Sequence, residues 1–462
     1  MKTVQLFKPY KFSSSPILFS FSLLILVLPL YLSWTLLNIP QTDDPHLGKT
    51  KGFLCWERSF HDFTVQYQFS KILKNSDIPP YTPQGQIKVY ELWLGKESPP
   101  GMASAYFPTF YLLMGILTAL PVEFVFLLWN GTVAILWIKI LLRIQNKQSP
   151  IKGAVITFVL LFSSTGITSF LFGQTALLFT ALLILLNDND NDKKSPETSS
   201  FPSQNSVFYS LRNYLFQLFR LYGPSSLMML LLISKPPAAV IGGSILLSQK
   251  KFKEFFYSLI PIIFLTVIFC SQREGIQTAI DYFYWIQSYN LLSMPAPFIN
   301  GFTTIFQTSF LGFTISQSLI PPDQIQTVNS LCILFISLGG MIFILKKNSD
   351  PQIIPLGIAW IYLLFSPYLS LTEDLIVGWI IVRWTQKYPK IWGWGIVWLV
   401  LILNTSQAYS VIAPSFFYLH PITWPLKLIG FTVWVALELK TLNEPDARDK
   451  SVKEWPIEPI QS

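Results

Sequence analysis

The stretch VEFVFLLWNGTVAILWIKILLRI, from Val122 to Ile144, decides the fold class of this chain. It stays apolar over the roughly 20 residues that a helix needs to cross the hydrocarbon core of a bilayer. Similar apolar blocks recur along all 462 residues, of which 51% are hydrophobic and only 13% charged. The sequence therefore predicts an all-α integral membrane protein: a multi-pass helical bundle with about ten to thirteen transmembrane helices and no large soluble domain.

The formal net charge of +8 comes from Lys and Arg residues in short clusters between the apolar blocks. Cytoplasmic loops of membrane proteins carry such clusters, so the charge indicates topology and not nucleic-acid binding. The three cysteines, Cys55, Cys270 and Cys332, have no CxxC spacing. Neither a metal knuckle nor a disulfide framework is expected.

Apolar blocks and polar segments divide the chain into regions, and each region is predicted to lie within the membrane or on one side of it. These are a cytoplasmic N-terminus (1–15), a first transmembrane helix (16–38), an outer loop with juxtamembrane helices (39–121), transmembrane helices (122–186), a cytoplasmic low-complexity linker with an amphipathic helix (187–222), transmembrane helices with an outer loop at 271–300 (223–439), and a cytoplasmic tail (440–462). We expect a short juxtamembrane helix at Tyr106–Pro121. If that block crossed instead, the basic loop with Arg143 and Lys152 would lie outside, against the positive-inside rule. The predicted location is the plasma membrane, with both termini in the cytoplasm.

A polar segment from Glu57 to Tyr81 carries the first candidate for chemistry. Asp62 lies here beside His61 in the outer loop. The alternative role for Asp62 is the N-cap of an amphipathic helix from Phe63 to Leu73. Asp43 and Asp44 are rival carboxylates, although they could simply begin a turn.

Further unusual polar residues are expected on the outer side, where polar groups within or against the bilayer pair with one another or line a cavity. Gln174 falls at a turn, and Lys235 precedes a Pro-Pro pair that interrupts an apolar block. Lys235 could hold a phosphate near a helix N-terminus, or it could be a snorkelling lysine with its head at the interface. Asn300 and Asp374 complete the outer set. His420 is expected to be structural.

Several segments resemble, in the same order, glycosyltransferase family 87, the polyprenol-phosphate-mannose-dependent membrane mannosyltransferases. The opening segment is DFTVQYQFSKILKNSDIPPY, from Asp62 to Tyr81. The later matches are Tyr106-x-Pro108, FGQTALL (Phe172 to Leu178), LLISKPPAAV (Leu231 to Val240), Asn300, and FSPYLSLTED (Phe365 to Asp374). The last segment departs from the family's Ser-Pro-x-x-Trp-x-x-His pattern because it lacks the Trp and the His. This chain therefore resembles a divergent member.

The resemblance implies a C-type glycosyltransferase architecture and an inverting reaction. A mannose-like hexose or a pentose would pass from a polyprenyl-phosphate donor to a lipid or glycan acceptor on the outer face of the bilayer. Asp62 matches the catalytic base, and the implied substrate-binding residues are His61, Tyr67, Tyr106, Gln174, Lys235, Asn300 and Asp374. A lipid-linked donor needs no metal or other cofactor. Asp188, Asp190 and Asp192 imitate a metal-binding DxD, but they lie in the low-complexity linker.

A transporter or flippase of lipid-linked precursors is the alternative function, since transporters also contain broken helices such as the one at Lys235. A transporter would be expected to show an internal repeat and charged residues near helix midpoints. The chain has no convincing repeat, and its charges gather at helix ends. Loss of the late Trp and His also leaves an inactive relative open.

Overall fold

The computed structural model describes residues 16–37, 42–44, 48–50, 61–94, 106–147, 150–171, 173, 175–187, 223–293, 324, 353–365, 374–405 and 420–443. The first half contains α1 (Pro16–Leu37), β1 (Thr42–Asp44), β2 (Gly48–Thr50), α2 (His61–Lys74), α3 (Pro83–Leu94), α4 (Pro108–Leu117), α5 (Val122–Lys147), α6 (Pro150–Phe162), α7 (Ser164–Leu171) and α8 (Ala176–Asn187). The second half contains α9 (Gly223–Leu232), α10 (Pro236–Ser248), α11 (Phe252–Ser271), α12 (Ile276–Ser293), α13 (Ile353–Phe365), α14 (Ile376–Lys387), α15 (Trp392–Thr405) and α16 (His420–Asn443).

The described part of the chain is a helical bundle, which confirms the coarse fold prediction. Within the described residues, β1 and β2 form a short antiparallel ribbon in which Thr42 pairs with Thr50 and Asp44 with Gly48. Two described helices, at Val122–Ile144 and Phe252–Ser271, are long and apolar enough to cross a membrane. The number of crossings stays a prediction.

Proline explains why the apolar block around Lys235 is two helices and not one. The predicted break is present, because α9 ends at Leu232 and α10 begins at Pro236. A proline has no N–H to donate and its ring clashes with the preceding turn, so two consecutive prolines fit best in the first turn of a helix. Lys235 is consequently the N-cap residue of α10, with extended backbone at φ −126° and ψ 99°.

The helix predicted in Tyr106–Pro121 is short, as expected. It is α4, whose ten residues span about 15 Å at 1.5 Å per residue, half of the hydrocarbon thickness. It packs against α2 and α11. The predicted outer loop at 271–300 differs from expectation because most of it forms α12.

Buried side chains form two clusters. The larger one joins α5 to α8 with α10 and α13 to α16, and its largest buried side chains include Trp137, Trp360 and Trp379. The smaller one, which we call the aromatic cluster, joins α2, α3 and α4 to the adjoining ends of α5, α11 and α12. Its centre is Tyr81, whose ring lies 4.9 Å from that of Tyr282 and 6.2 Å from that of Tyr111.

The bundle has two chemically different ends. The cavity end is where α8, α10 and α14 begin, around a cavity lined by Ala176, Lys235 and Ile376. At the opposite end, the amide of Gln249 after α10 donates to Asn187 Oδ1 at the end of α8, over 2.9 Å. We call this the basic end because it gathers Lys152, Lys250, Lys251, Lys253, Lys387 and Lys390.

Candidate functional site

Helix α2 carries the predicted base. Its apolar face, which includes Phe63, Phe69 and Leu73, is buried against α4. The backbone of α2 begins at His61, so Asp62 lies within the first turn and not at the N-cap position expected for a helix starting at Phe63. The side chains of His61 and Asp62 lie outside the described part of the structure, so their predicted roles stay predictions.

A first cavity lies against the residue that follows Asp62. Its wall is aromatic and apolar, with Phe63, Phe110 and Trp129, and its polar atoms come from Gln66, Tyr106 and Thr175. The cavity volume is about 10 Å³, which is the space of a single water molecule. Three segments far apart in sequence, the start of α2, Tyr106 and the turn before α8, therefore meet here.

Tyr106 is held on three sides. Its hydroxyl lies 3.3 Å from Thr175 Oγ1, and its ring stacks on Phe110 with the ring centroids 4.3 Å apart. The hydroxyl of Tyr81 donates to the carbonyl of Tyr106 over 2.9 Å. This fixed tyrosine joins the polar side of the first cavity to the aromatic cluster.

The turn between α7 and α8 depends on a glycine. Gly173 has a φ of +60°, and a Cβ there would lie 2.8 Å from Cβ of Phe63. Only glycine combines the left-handed conformation with so close an approach. Gln174 lies outside the described residues, but its neighbours Gly173 and Thr175 both line the first cavity.

The broken helix lies beside this first cavity. The N–H of Phe107 donates to the carbonyl of Ser234 over 3.3 Å, so the segment before α4 touches the break before α10. Lys235 is half-buried and lines a second cavity, again of about 10 Å³, with Ala176, Phe179 and Tyr362. The positive dipole end of α10 lies at the same region. Its first turn offers no free N–H group, because Pro236 and Pro237 have none and the N–H groups of Ala238 and Ala239 donate to the carbonyl of Lys235.

Asp374 lies next to the second cavity and is paired. Its Oδ1 is 2.5 Å from Nζ of Lys427, and both side chains are fully buried. Ile376 follows in the same turn and lines the second cavity. In this conformation the Asp374 carboxylate binds a lysine of α16, and it is closed to solvent.

Tyr67, a predicted substrate-binding residue, makes its hydrogen bond to the turn after α4. Its side chain is buried, and its hydroxyl donates to the carbonyl of Leu120 over 2.6 Å, at the turn after α4. Burial and the charge of Glu123 raise the pKa of Tyr67 above its ordinary value. The contact stabilises α2 against the turn after α4.

Asn300, another predicted substrate-binding residue, lies outside the described residues.

Two residues that sequence reasoning missed have central contacts. Arg273 donates to the carbonyls of Leu73 over 2.7 Å and Phe269 over 3.0 Å, and so caps the C-terminus of α2 from the corner between α11 and α12. Lys427 is the second missed residue, and its central contact is the buried ion pair with Asp374. A single lysine inside the apolar block of α16 was a usable signal, because a charge within such a block is costly unless it is paired.

Comparison with known proteins returns no match to a family model, a curated protein or a solved structure. Within the described residues, no group of three or more His, Cys, Asp or Glu side chains is arranged to hold a metal ion. The candidate site is therefore defined by its own geometry: a first small cavity with Tyr106 and Thr175, and a second small cavity with Lys235 at the N-terminus of α10.

Proposed function

We propose that the chain is an integral-membrane, inverting glycosyltransferase that moves a sugar from a polyprenyl-phosphate donor to a lipid or glycan acceptor on the outer face. One observation carries the proposal. The start of α2, Tyr106 and Gly173 are far apart in sequence, yet they line one cavity at the cavity end. Phe107, which follows Tyr106, contacts Ser234, which precedes Lys235, over 3.3 Å. These are the segments whose order resembles the glycosyltransferase family.

A multi-pass membrane location is supported by apolar side chains that the bundle leaves exposed. On α11, Phe256, Ile260 and Phe264 are 59–63% exposed, which is costly in water and favourable in lipid. Exposed apolar residues also occur on α1, α5, α15 and α16, among them Val27, Ile135, Val397 and Ile429. Lipid covering these faces would make each helix a membrane element.

The two ends of the bundle support an orientation. Lys and Arg are retained on the cytoplasmic side of membrane proteins, so the basic end is assigned to the cytoplasm. The cavity end then faces outward, where a polyprenyl-phosphate sugar presents its head group. This orientation agrees with a plasma-membrane protein whose two termini are cytoplasmic.

The proposed reaction uses one base and one phosphate site. Asp62 takes the proton of the acceptor hydroxyl while the oxygen attacks the anomeric carbon, and the bond from that carbon to the phosphate oxygen breaks with inversion. Lys235 holds the departing lipid phosphate as a point charge, with the positive dipole end of α10 beside it. His61, Tyr106, Gln174 and Asn300 are assigned to sugar hydroxyls. A sugar ring exceeds either cavity, so the cavity end must widen on binding.

The test is transfer of label from radiolabelled polyprenyl-phosphate sugars in membranes with matched amounts of protein. Asp62→Asn should lose about 10²–10⁴-fold in rate, the usual contribution of a general base. Asp77→Asn, an exposed carboxylate just after α2, is the matched control and should keep full activity. Full activity of Asp62→Asn would exclude Asp62 as the base and make Asp43 or Asp44 the next candidates.

A transporter or flippase of lipid-linked precursors is the second candidate, favoured by the buried Asp374–Lys427 pair next to a broken helix. Proteoliposomes loaded with a fluorescent polyprenyl-phosphate sugar separate the two functions. Movement of the lipid between leaflets without sugar transfer would support transport. Neither transfer nor movement with any tested donor would support an inactive relative.

A further inference from the structure

The part of helix α12 whose side chains the structure describes, residues 276–285, presents three different faces around the helix axis. Thr278, Tyr282 and Trp285 are buried at 1–3% exposure. Gln277 and Asp281 form a narrow polar strip, joined by a hydrogen bond of 2.7 Å. The remaining face is apolar and exposed: Ile276 is 80%, Ile280 40%, Phe283 64% and Tyr284 65% exposed. At about 100° per residue, these four side chains cover a sector roughly 100° wide.

The buried face joins α12 to the aromatic cluster under the candidate site. The ring of Tyr282 makes edge contacts with Tyr81 at 4.9 Å and with Phe107 at 5.0 Å between centroids. Phe107 adjoins Tyr106 in the first cavity wall. Helix α12 therefore packs, through Tyr282, on the residue that follows Tyr106.

The start of α12 is fixed relative to α11. Gly275 has a φ of +62°, which turns the chain sharply after α11. Arg273 binds the carbonyls of Phe269 and Leu73, and its guanidinium carbon lies 3.8 Å from the centroid of the Phe269 ring. Burial lowers the pKa of Arg273 from its ordinary value, although the nearby Tyr81 opposes that shift.

We infer that α12 is an interfacial helix whose Ile276, Ile280, Phe283 and Tyr284 face inserts into the outer surface of the bilayer. This inference rests on the membrane location in the proposed function. Continuity favours lipid as the occupant, because α12 directly follows the exposed apolar side of α11, a helix long and apolar enough to cross. An exposed apolar face with a tyrosine at its edge suits the membrane interface, where aromatic rings lie at the level of the head groups.

The consequence is that contact between α12 and the bilayer surface fixes the position of the helices that line the candidate site. The aromatic cluster buries one face of α12 and the bilayer covers another, so α2 and α4 are held at a fixed height above the membrane. An outer-face enzyme with a lipid-linked donor needs such a fixed height, because the phosphate of the donor remains at the head-group level.

The experiment uses the full chain in lipid nanodiscs, with spin labels on a genetically encoded noncanonical residue so that the natural cysteines stay intact. Labels replace Phe283 and Asp281 on α12, Ile263 on α11 as the lipid reference, and Asp77 as the water reference. Collision rates with oxygen, which dissolves in lipid, and with a nickel chelate, which stays in water, are measured at each position. We expect position 283 to collide with oxygen and hardly with nickel, and position 281 to collide with nickel far more often.

Each of the other outcomes would contradict either the lipid contact of α12 or the membrane location of the chain. Nickel collisions at 283 as frequent as at 77, with 263 still protected, would mean that the α12 face lies in water. Protection of 283 from both probes would mean that protein covers it. If 263 were as accessible to nickel as 77, the membrane location and the proposed function would fail together.

Discussion

Lys427 and Asp374 form a fully buried ion pair, with Nζ of the lysine 2.5 Å from Oδ1 of the aspartate. A second pair joins the other ends of the same helices, where Nζ of Lys387 lies 2.6 Å from Oε2 of Glu438. Asp374, two residues before α14, pairs with a residue near the start of α16. Lys387, the last residue of α14, pairs with a residue near the end of α16, so the two helices run parallel. The charge order is reversed between them, and a shift in register would break both pairs.

Removing one partner of the buried pair should cost far more stability than removing both. Lys427→Met leaves an unpaired buried carboxylate and should lower the free energy of unfolding by about 3–5 kcal/mol. The double variant with Asp374→Leu should recover most of that loss, since apolar replacement of a buried pair is often neutral. Thermal unfolding in detergent measures both.

The exposed pair Lys88–Glu91 is the control for that cycle. Its Nζ to Oε2 distance is 3.7 Å, and the side chains are 58% and 42% exposed. Lys88→Ala should change stability by at most about 1 kcal/mol. Equal losses from Lys427→Met and Lys88→Ala would contradict a closed, desolvated Asp374–Lys427 pair.

Tyr67→Phe should reduce stability without reducing turnover. The hydroxyl donates to Leu120 O over 2.6 Å, so its loss leaves a carbonyl unpaired and should cost about 0.5–1.5 kcal/mol. Unfolding and sugar transfer are measured on the same preparation. A lower transfer rate per folded molecule would instead support the predicted contact between Tyr67 and the substrate.

Gly173→Ala should destabilise the turn between the two cavities by about 1–3 kcal/mol, because the new Cβ would be strained at φ +60° and would crowd Phe63. Gly393→Ala is the control. A Cβ there would meet nothing within 4 Å, so this substitution in α15 should be neutral or stabilise by up to about 1 kcal/mol. The two changes in unfolding midpoint should have opposite signs or clearly different sizes.

Local patterns predicted the features that local chemistry determines. The break at Lys235 follows from two prolines, and the short helix after Tyr106 follows from the length of its apolar block. Asp374 was predicted as an unusual polar residue of the outer side and from the family resemblance, but its partner Lys427 is 53 positions away and no periodicity links the two. The helix α12 was missed because Arg273 and Gly275 turn the chain at a point where polarity alone suggested a loop.

The three candidates for the catalytic base show a choice that the sequence alone does not decide. Asp62, Asp43 and Asp44 are all acidic residues of the predicted outer loop (39–121), and composition does not rank them. The structure adds that the neighbour of Asp62 lines the first cavity, whereas Asp43 and Asp44 belong to β1. Packing of α2 on α4 produces this difference, and it depends on contacts between helices.

Lys235→Met tests the phosphate site that the proposed function requires. If Lys235 holds the donor phosphate, loss of a charged hydrogen bond of about 1.5–3 kcal/mol should raise the KM for the polyprenyl-phosphate sugar roughly 10- to 100-fold. Lys253→Met removes an exposed lysine at the basic end and should leave KM unchanged. An unchanged KM in Lys235→Met would make Lys235 a snorkelling lysine, as its half-buried position also allows. Lys235→Arg separates the alternatives further, because it keeps the charge that a phosphate needs but crowds a cavity with space for one water molecule.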